Sequence, residues 1–91
     1  VIKDFADKNT KEFWDTGKSP PASLRNVAKR KLAALNSAAT LEDLRIPPGN
    51  RLEALHHDRQ GQHSIAINKQ FRVCFVWRDG DAFDVEITDY H

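Results

Sequence analysis

Ninety-one residues, 40% apolar and 30% charged, suit one soluble domain over residues 1–91 and exclude a disordered chain or a second core. No apolar run nears the ~20 residues that cross a bilayer, the charged opening Val1–Trp14 has no apolar signal core, and a lone Cys74 can form no internal disulfide, so a reducing cytoplasm and no membrane are expected. The net charge of +1 conceals an asymmetry: residues 1–17 carry three bases against four acids, residues 18–78 eleven against four, and residues 79–91 none against five.

Val1-Ile2-Lys3-Asp4-Phe5 alternates apolar and polar residues and predicts a short first strand. Asn9-Thr10 then offers an N-cap for a first helix carrying Phe13 and Trp14, which Gly17 ends and Ser19-Pro20-Pro21 prevents from continuing. A second helix is predicted from Pro21 to Ala39, because Leu24, Val27, Ala28, Leu32 and Leu35 form one apolar stripe while Arg25, Lys29 and Arg30 fall largely outside it. Thr40-Leu41-Glu42-Asp43 caps a brief turn that Pro47-Pro48-Gly49-Asn50 stops.

From Arg51 onward the period changes to two. Leu52-Glu53-Ala54-Leu55 reads as a strand. His63, Ile65 and Ile67 then alternate with Gln62, Ser64 and Ala66; Phe71, Val73, Phe75 and Trp77 alternate with Gln70, Arg72, Cys74 and Val76. Phe83, Val85 and Ile87 in turn alternate with Asp84, Glu86 and Thr88. Asn68-Lys69 and Asp79-Gly80 supply the turns of an antiparallel meander. The order reads as an α+β domain with helices covering one face of the sheet and leaving the other available.

The basic middle is what a polyanion binder needs, since each phosphate contact releases counterions, although solvated helix and strand faces would look the same. Thr16-Gly17-Lys18-Ser19 imitates the tail of a phosphate-binding loop, but Glu12 stands where that motif needs glycine and Pro20 follows where a helix should run. His56, His57 and His63 lack the cysteine pair or His-x-x-x-His helix of a zinc site, so no metal and no cofactor are expected.

Alternation sets Arg72 on the face away from the helices. A central-strand arginine beside Cys74 and Val76 needs an anionic partner to offset its desolvation. That partner is either a bound polyanion or a structural ion pair with Glu86 or Asp84. At the C-terminus Asp89, Tyr90 and His91 place a carboxylate, a phenol and an imidazole in a row. Those groups suit proton transfer and base stacking, yet terminal residues commonly fray.

Several stretches resemble the HigB-type toxins of the RelE/ParE superfamily: Pro47-Pro48-Gly49-Asn50-Arg51-Leu52-Glu53-Ala54-Leu55, Asp58-Arg59-Gln60-Gly61-Gln62-His63-Ser64-Ile65, Phe71-Arg72-Val73-Cys74-Phe75 and Val85-Glu86-Ile87-Thr88-Asp89-Tyr90-His91. The opening Val1-Ile2-Lys3 and the basic Arg30-Lys31-Leu32-Ala33-Ala34-Leu35 match as well, so the likeness runs in order through essentially the whole chain. It implies a compact microbial RNase fold, an N-terminal strand and two helices on one side of a curved antiparallel sheet. It implies metal-independent cleavage of messenger RNA in the ribosomal A site, neutralisation by a HigA-like helix-turn-helix antitoxin, and contact with operator DNA only through that complex. Asp89, Tyr90 and His91 then correspond to the family's functional tail, Arg72 to its sheet arginine and Arg59 to a rim cation.

In the reaction so implied, His91 moves a proton, Asp89 orients it or holds the local fold, and Tyr90 stacks on a base or positions the phosphate. Arg72 stabilises developing charge, while His56, Arg59 and Arg51 bind phosphates. One departure stands out: the family commonly has lysine directly after the leucine matched by Leu55, and here that residue is His56. Two other readings keep the fold: a ParE-like gyrase inhibitor, or a non-catalytic RNA- or protein-binding module.

Overall fold

The computed structural model describes residues 1–17 and 22–89; Lys18-Ser19-Pro20-Pro21, Tyr90 and His91 lie outside them. Two helices, α1 (Lys8–Thr16) and α2 (Ala22–Ser37), precede a sheet of β1 (Glu53–Ala54), β2 (His63–Ala66), β3 (Phe71–Arg78) and β4 (Asp81–Asp89). The strands are antiparallel and lie in chain order. Short 3₁₀ turns cover Leu41–Arg45, Pro48–Asn50 and His57–Arg59. Among the described residues no helix is long and apolar enough to cross a membrane.

The expected first strand is reduced to two isolated parallel bridges, Ile2 to Ala82 and Phe5 to Val85. Between them the Asp4 carboxylate accepts the backbone N–H of Asp84 at 2.6 Å. Helix α1 begins at Lys8 behind Asp7, two or three residues earlier than an Asn9-Thr10 cap would put it. Thr10 is buried, and its hydroxyl accepts the Ile87 N–H at 3.0 Å, so this side chain docks the helix on β4 and caps nothing. Gly17 ends α1 as expected, in the left-handed region at φ 76°, with its N–H on the Phe13 carbonyl at 2.8 Å.

Helix α2 buries the predicted stripe. Leu24, Ala28, Leu32 and Leu35 join Phe13, Ile65, Val73, Phe75 and Val85 in one core, with Val27 partly buried against it. Asn50 ties the following loop to this helix. Its amide donates to the carbonyls of Leu44 (3.1 Å) and Ile46 (3.4 Å), and its oxygen accepts the Lys31 ammonium.

The Asp79-Gly80 turn forms as read, both residues at positive φ (53° and 81°) between the paired Arg78 and Asp81. The β2–β3 connection is longer than a two-residue turn. The Asn68 side-chain oxygen accepts the N–H groups of Gln70 (2.8 Å) and Phe71 (2.7 Å) and closes the loop itself.

One residue changes the predicted faces. Cys74 pairs with Glu86 but Val76 pairs with Phe83, so Phe75 meets two residues of β4, and Asp84 sits there at φ 52°. This bulge advances the alternation by one position. Ala82, fully buried, takes the core-facing place expected of Phe83, and Phe83 turns to the opposite face under the Arg78 guanidinium at 4.2 Å. Val85 and Ile87, beyond the bulge, return to the helix side.

Candidate active site

The face of the sheet away from the helices carries two cross-strand rows. Glu53, Ser64, Cys74 and Glu86 form one, from β1 to β4; Ala66, Arg72 and Thr88 form the next. The helices leave this face uncovered as expected, yet parts of it are closed to solvent: Ser64 and Cys74 are fully buried and Arg72 is only 7% exposed.

Burying a guanidinium costs several kcal/mol unless its N–H groups are satisfied. Arg72 meets that demand with Nε–H donated to Ser64 Oγ at 2.7 Å and Nη2–H to the Arg51 carbonyl at 2.7 Å. Glu53 adds an ion pair at 3.6 Å from a side chain that is half exposed. The structural partner expected of Glu86 or Asp84 is therefore not the one found. Glu86 instead accepts from Arg59 Nη1 at 2.6 Å, and the same nitrogen donates to Gln62 Oε1 at 3.1 Å.

Arg51 contributes to this arrangement through its backbone. It ends the Pro48–Asn50 turn at φ 49°, its N–H on the Pro48 carbonyl at 3.0 Å, and that conformation turns its carbonyl to Arg72 while its side chain stays exposed. A non-glycine residue in the left-handed region costs about 1 kcal/mol, here alongside a bond to a buried charge. His56 and His57 are exposed and, with Glu53, Ala54 and Leu55, line an open groove of about 650 Å³ beside β1. His63 lies elsewhere, on the helix side of β2, with its ring stacked on Phe75 at 6.3 Å. The three histidines do not converge, and no group of three metal-binding side chains forms among the described residues.

Asp89 pairs with Phe71, so at the end of β4 it shares the helix-side face, and its carboxylate accepts from Gln70 Nε2 at 3.0 Å. The β4 residue beside Arg72 is Thr88, whose hydroxyl is buried next to the Cys74 thiol without a conventional hydrogen-bond partner among the described residues. Burial pushes the Cys74 thiol above its ordinary pKa, opposed by the Thr88 hydroxyl and by the Arg59 charge.

The structure thus joins Arg72 to the Arg51 backbone, Ser64 and Glu53, sets Arg59 on Glu86 in the neighbouring row, and places Asp89 on the other face. Tyr90 and His91 fall outside the described residues. Neither Ser64 nor Glu53 stands out in the sequence. The signal for Ser64 is its alternation with Ile65, which assigns it to the face of Arg72 once β2 and β3 are paired.

Comparison with known proteins gives a consistent picture. Residues 3–91 match the family described as HigB-like toxin, the RelE-like toxin of the type II toxin–antitoxin system HigB. Toxin HigB-1 of Vibrio cholerae is 43% identical over 90 residues, covering 96% of this chain and 95% of that protein. Endoribonuclease HigB of Proteus vulgaris is 28% identical over 93 residues and is covered completely. Among solved structures, YafQ of E. coli superimposes with a TM-score of 0.63 at 13% identity, covering 98% of this chain and 93% of YafQ. A YafQ point mutant gives 0.66 at 11%, over the same shares of both chains, and that likeness concerns the fold alone.

Proposed function

This chain belongs to the HigB-like family of RelE-like toxins of type II toxin–antitoxin systems, and from that premise we propose that it is an endoribonuclease that cuts messenger RNA on the ribosome. A toxin of such a system has an antitoxin as its partner. Here that partner is a HigA-like helix-turn-helix protein, operator DNA is reached only through the complex, and the protein works in the cytoplasm at the ribosomal A site.

The observation that carries this reading is the buried guanidinium of Arg72 on the sheet face away from the helices, held by two hydrogen bonds to Ser64 and the Arg51 carbonyl and met by Glu53. RNA contains its own nucleophile. Attack of the 2′-hydroxyl on the adjacent phosphorus forms a 2′-O–P bond and breaks the bond to the 5′-oxygen, leaving a 2′,3′-cyclic phosphate. One proton leaves the 2′-hydroxyl, another reaches the departing oxygen, and negative charge builds on the phosphate between them. An oriented cation stabilises that charge, and general acid–base help typically adds 10²–10⁴-fold.

In this mechanism Arg72 stabilises the transition state and His91 transfers a proton. Tyr90 stacks on a base or positions the phosphate, while Arg51, His56 and Arg59 hold neighbouring phosphates. Asp89 supports the strand end that carries them. So small a set of groups gains most from a substrate posed in advance, which explains a requirement for the ribosome. Purified protein and its His91→Ala variant, compared on translating ribosomes by primer extension, test the reading. New cuts within codons that vanish with the variant are expected; intact message alongside undisturbed translation would overturn it and direct attention to gyrase.

A further inference from the structure

Ser64 is fully buried at the centre of the cross-strand row, between Glu53 and Cys74. Its hydroxyl takes Arg72 Nε–H while the Arg51 carbonyl takes Nη2–H. Those two nitrogens share one edge of the planar guanidinium, so bonds to both fix its plane as well as its position. The Nη1–Nη2 end is left for a ligand. Among the described residues it meets only the Glu53 carboxylate, at 3.6 Å from Nη2. A phosphate offers two oxygens in the geometry of that free end.

We propose that Ser64 is a positioning residue for RNA cleavage, acting through Arg72 to set the plane in which the guanidinium meets the reacting phosphate. This rests on the reading of Arg72 as the cation that stabilises the transition state. Without the hydroxyl, Nε loses its only partner among the described residues and the guanidinium can turn about its side-chain torsions. Substrate still binds through the rim, but the charge no longer lies where the transition state needs it. Ser64 therefore governs the rate and leaves binding nearly unchanged.

Single-turnover cleavage on programmed ribosomes tests this with Ser64→Ala and Ser64→Thr, each in wild-type and Arg72→Ala backgrounds. Ser64→Ala is expected to slow cleavage about 10- to 100-fold with KM within about twofold of wild type. Ser64→Thr, which keeps a hydroxyl, restores most of the rate. In the Arg72→Ala background Ser64→Ala adds no further loss, as two residues acting through one contact require. A wild-type rate for Ser64→Ala, or a loss that adds fully to that of Arg72→Ala, overturns the proposal while leaving the ribonuclease reading intact. Wild-type protein that leaves the message whole overturns that reading and the proposal with it. Should Ser64→Ala fail to fold, Ser64→Cys, which fills the same space with a weaker acceptor, takes its place in the same measurements. A slower rate with KM within about twofold of wild type is expected, and a wild-type rate overturns the proposal.

Discussion

The Arg72 guanidinium rests on the backbone carbonyl of Arg51 at 2.7 Å, so two positive residues adjoin through one side chain and one main chain. The left-handed conformation of Arg51 makes this contact, and its side chain remains free to serve a different purpose. Backbone and side-chain roles at one residue can therefore be separated.

Arg51→Gly keeps the carbonyl and suits φ 49° better than any side chain. Thermal stability should hold within about 1 kcal/mol, the relief at the left-handed position offsetting the greater freedom of the unfolded chain. If the side chain holds a phosphate as proposed, the rate of bound substrate should be unchanged, while KM rises several-fold and depends less steeply on salt. Steady-state kinetics at two ionic strengths check both parts.

Arg59 and Glu86 form a pair less than one-third exposed on either side, at 2.6 Å. Removing Glu86 leaves a partly buried guanidinium short of an acceptor. Glu86→Ala should destabilise the protein by about 1–3 kcal/mol in urea unfolding. A double-mutant cycle with Arg59→Ala should return a coupling of roughly 1 kcal/mol, and a coupling near zero would mean that the contact contributes nothing to stability.

Cys74 is buried with its thiol pKa raised by that burial. Native protein at pH 8 should react with iodoacetamide far more slowly than protein unfolded in urea. The linkage sign follows from the raised value. Stability is fully present below the unfolded thiol's pKa of about 8.5 and declines as pH rises above it, because the unfolded chain ionises first. Cys74→Ala should remove that alkaline decline, as measured by denaturation at pH 7 and pH 10.

His56 is exposed in the groove beside β1, at the position where the family resemblance implies lysine. Lysine would place a compact ammonium with three donors there. His56→Lys should raise cleavage several-fold and make it depend more steeply on salt. Identical rates and salt dependence for the two proteins would remove His56 from the proposed phosphate-binding set.

Much of this arrangement was legible in the residues. The spacing of Leu24, Ala28, Leu32 and Leu35 gave α2 its buried stripe, Asp79-Gly80 marked a hairpin, and alternation set Arg72 on the face away from the core. The bulge at Asp84 was hidden because Ala82 and Phe83 are both apolar, so either can fill the core place and the pattern does not register the extra residue. Thr10 looked like a cap because threonine serves both caps and tertiary contacts, and the choice depended on where Ile87 would lie. Ser64 and the Arg51 carbonyl carry no signal in the sequence for a related reason: they gain meaning only when residues 8 and 21 positions from Arg72 are folded against it.

Whether a guanidinium locked in the sheet drives cleavage is decided by the single-turnover rate of Arg72→Lys on programmed ribosomes. Lysine keeps the charge but cannot bond Ser64 and the Arg51 carbonyl together while presenting a forked end to phosphate. A fall of about 100-fold or more, in protein that remains folded and still binds its antitoxin, is predicted. Cleavage at the wild-type rate would contradict it, since charge alone would then suffice.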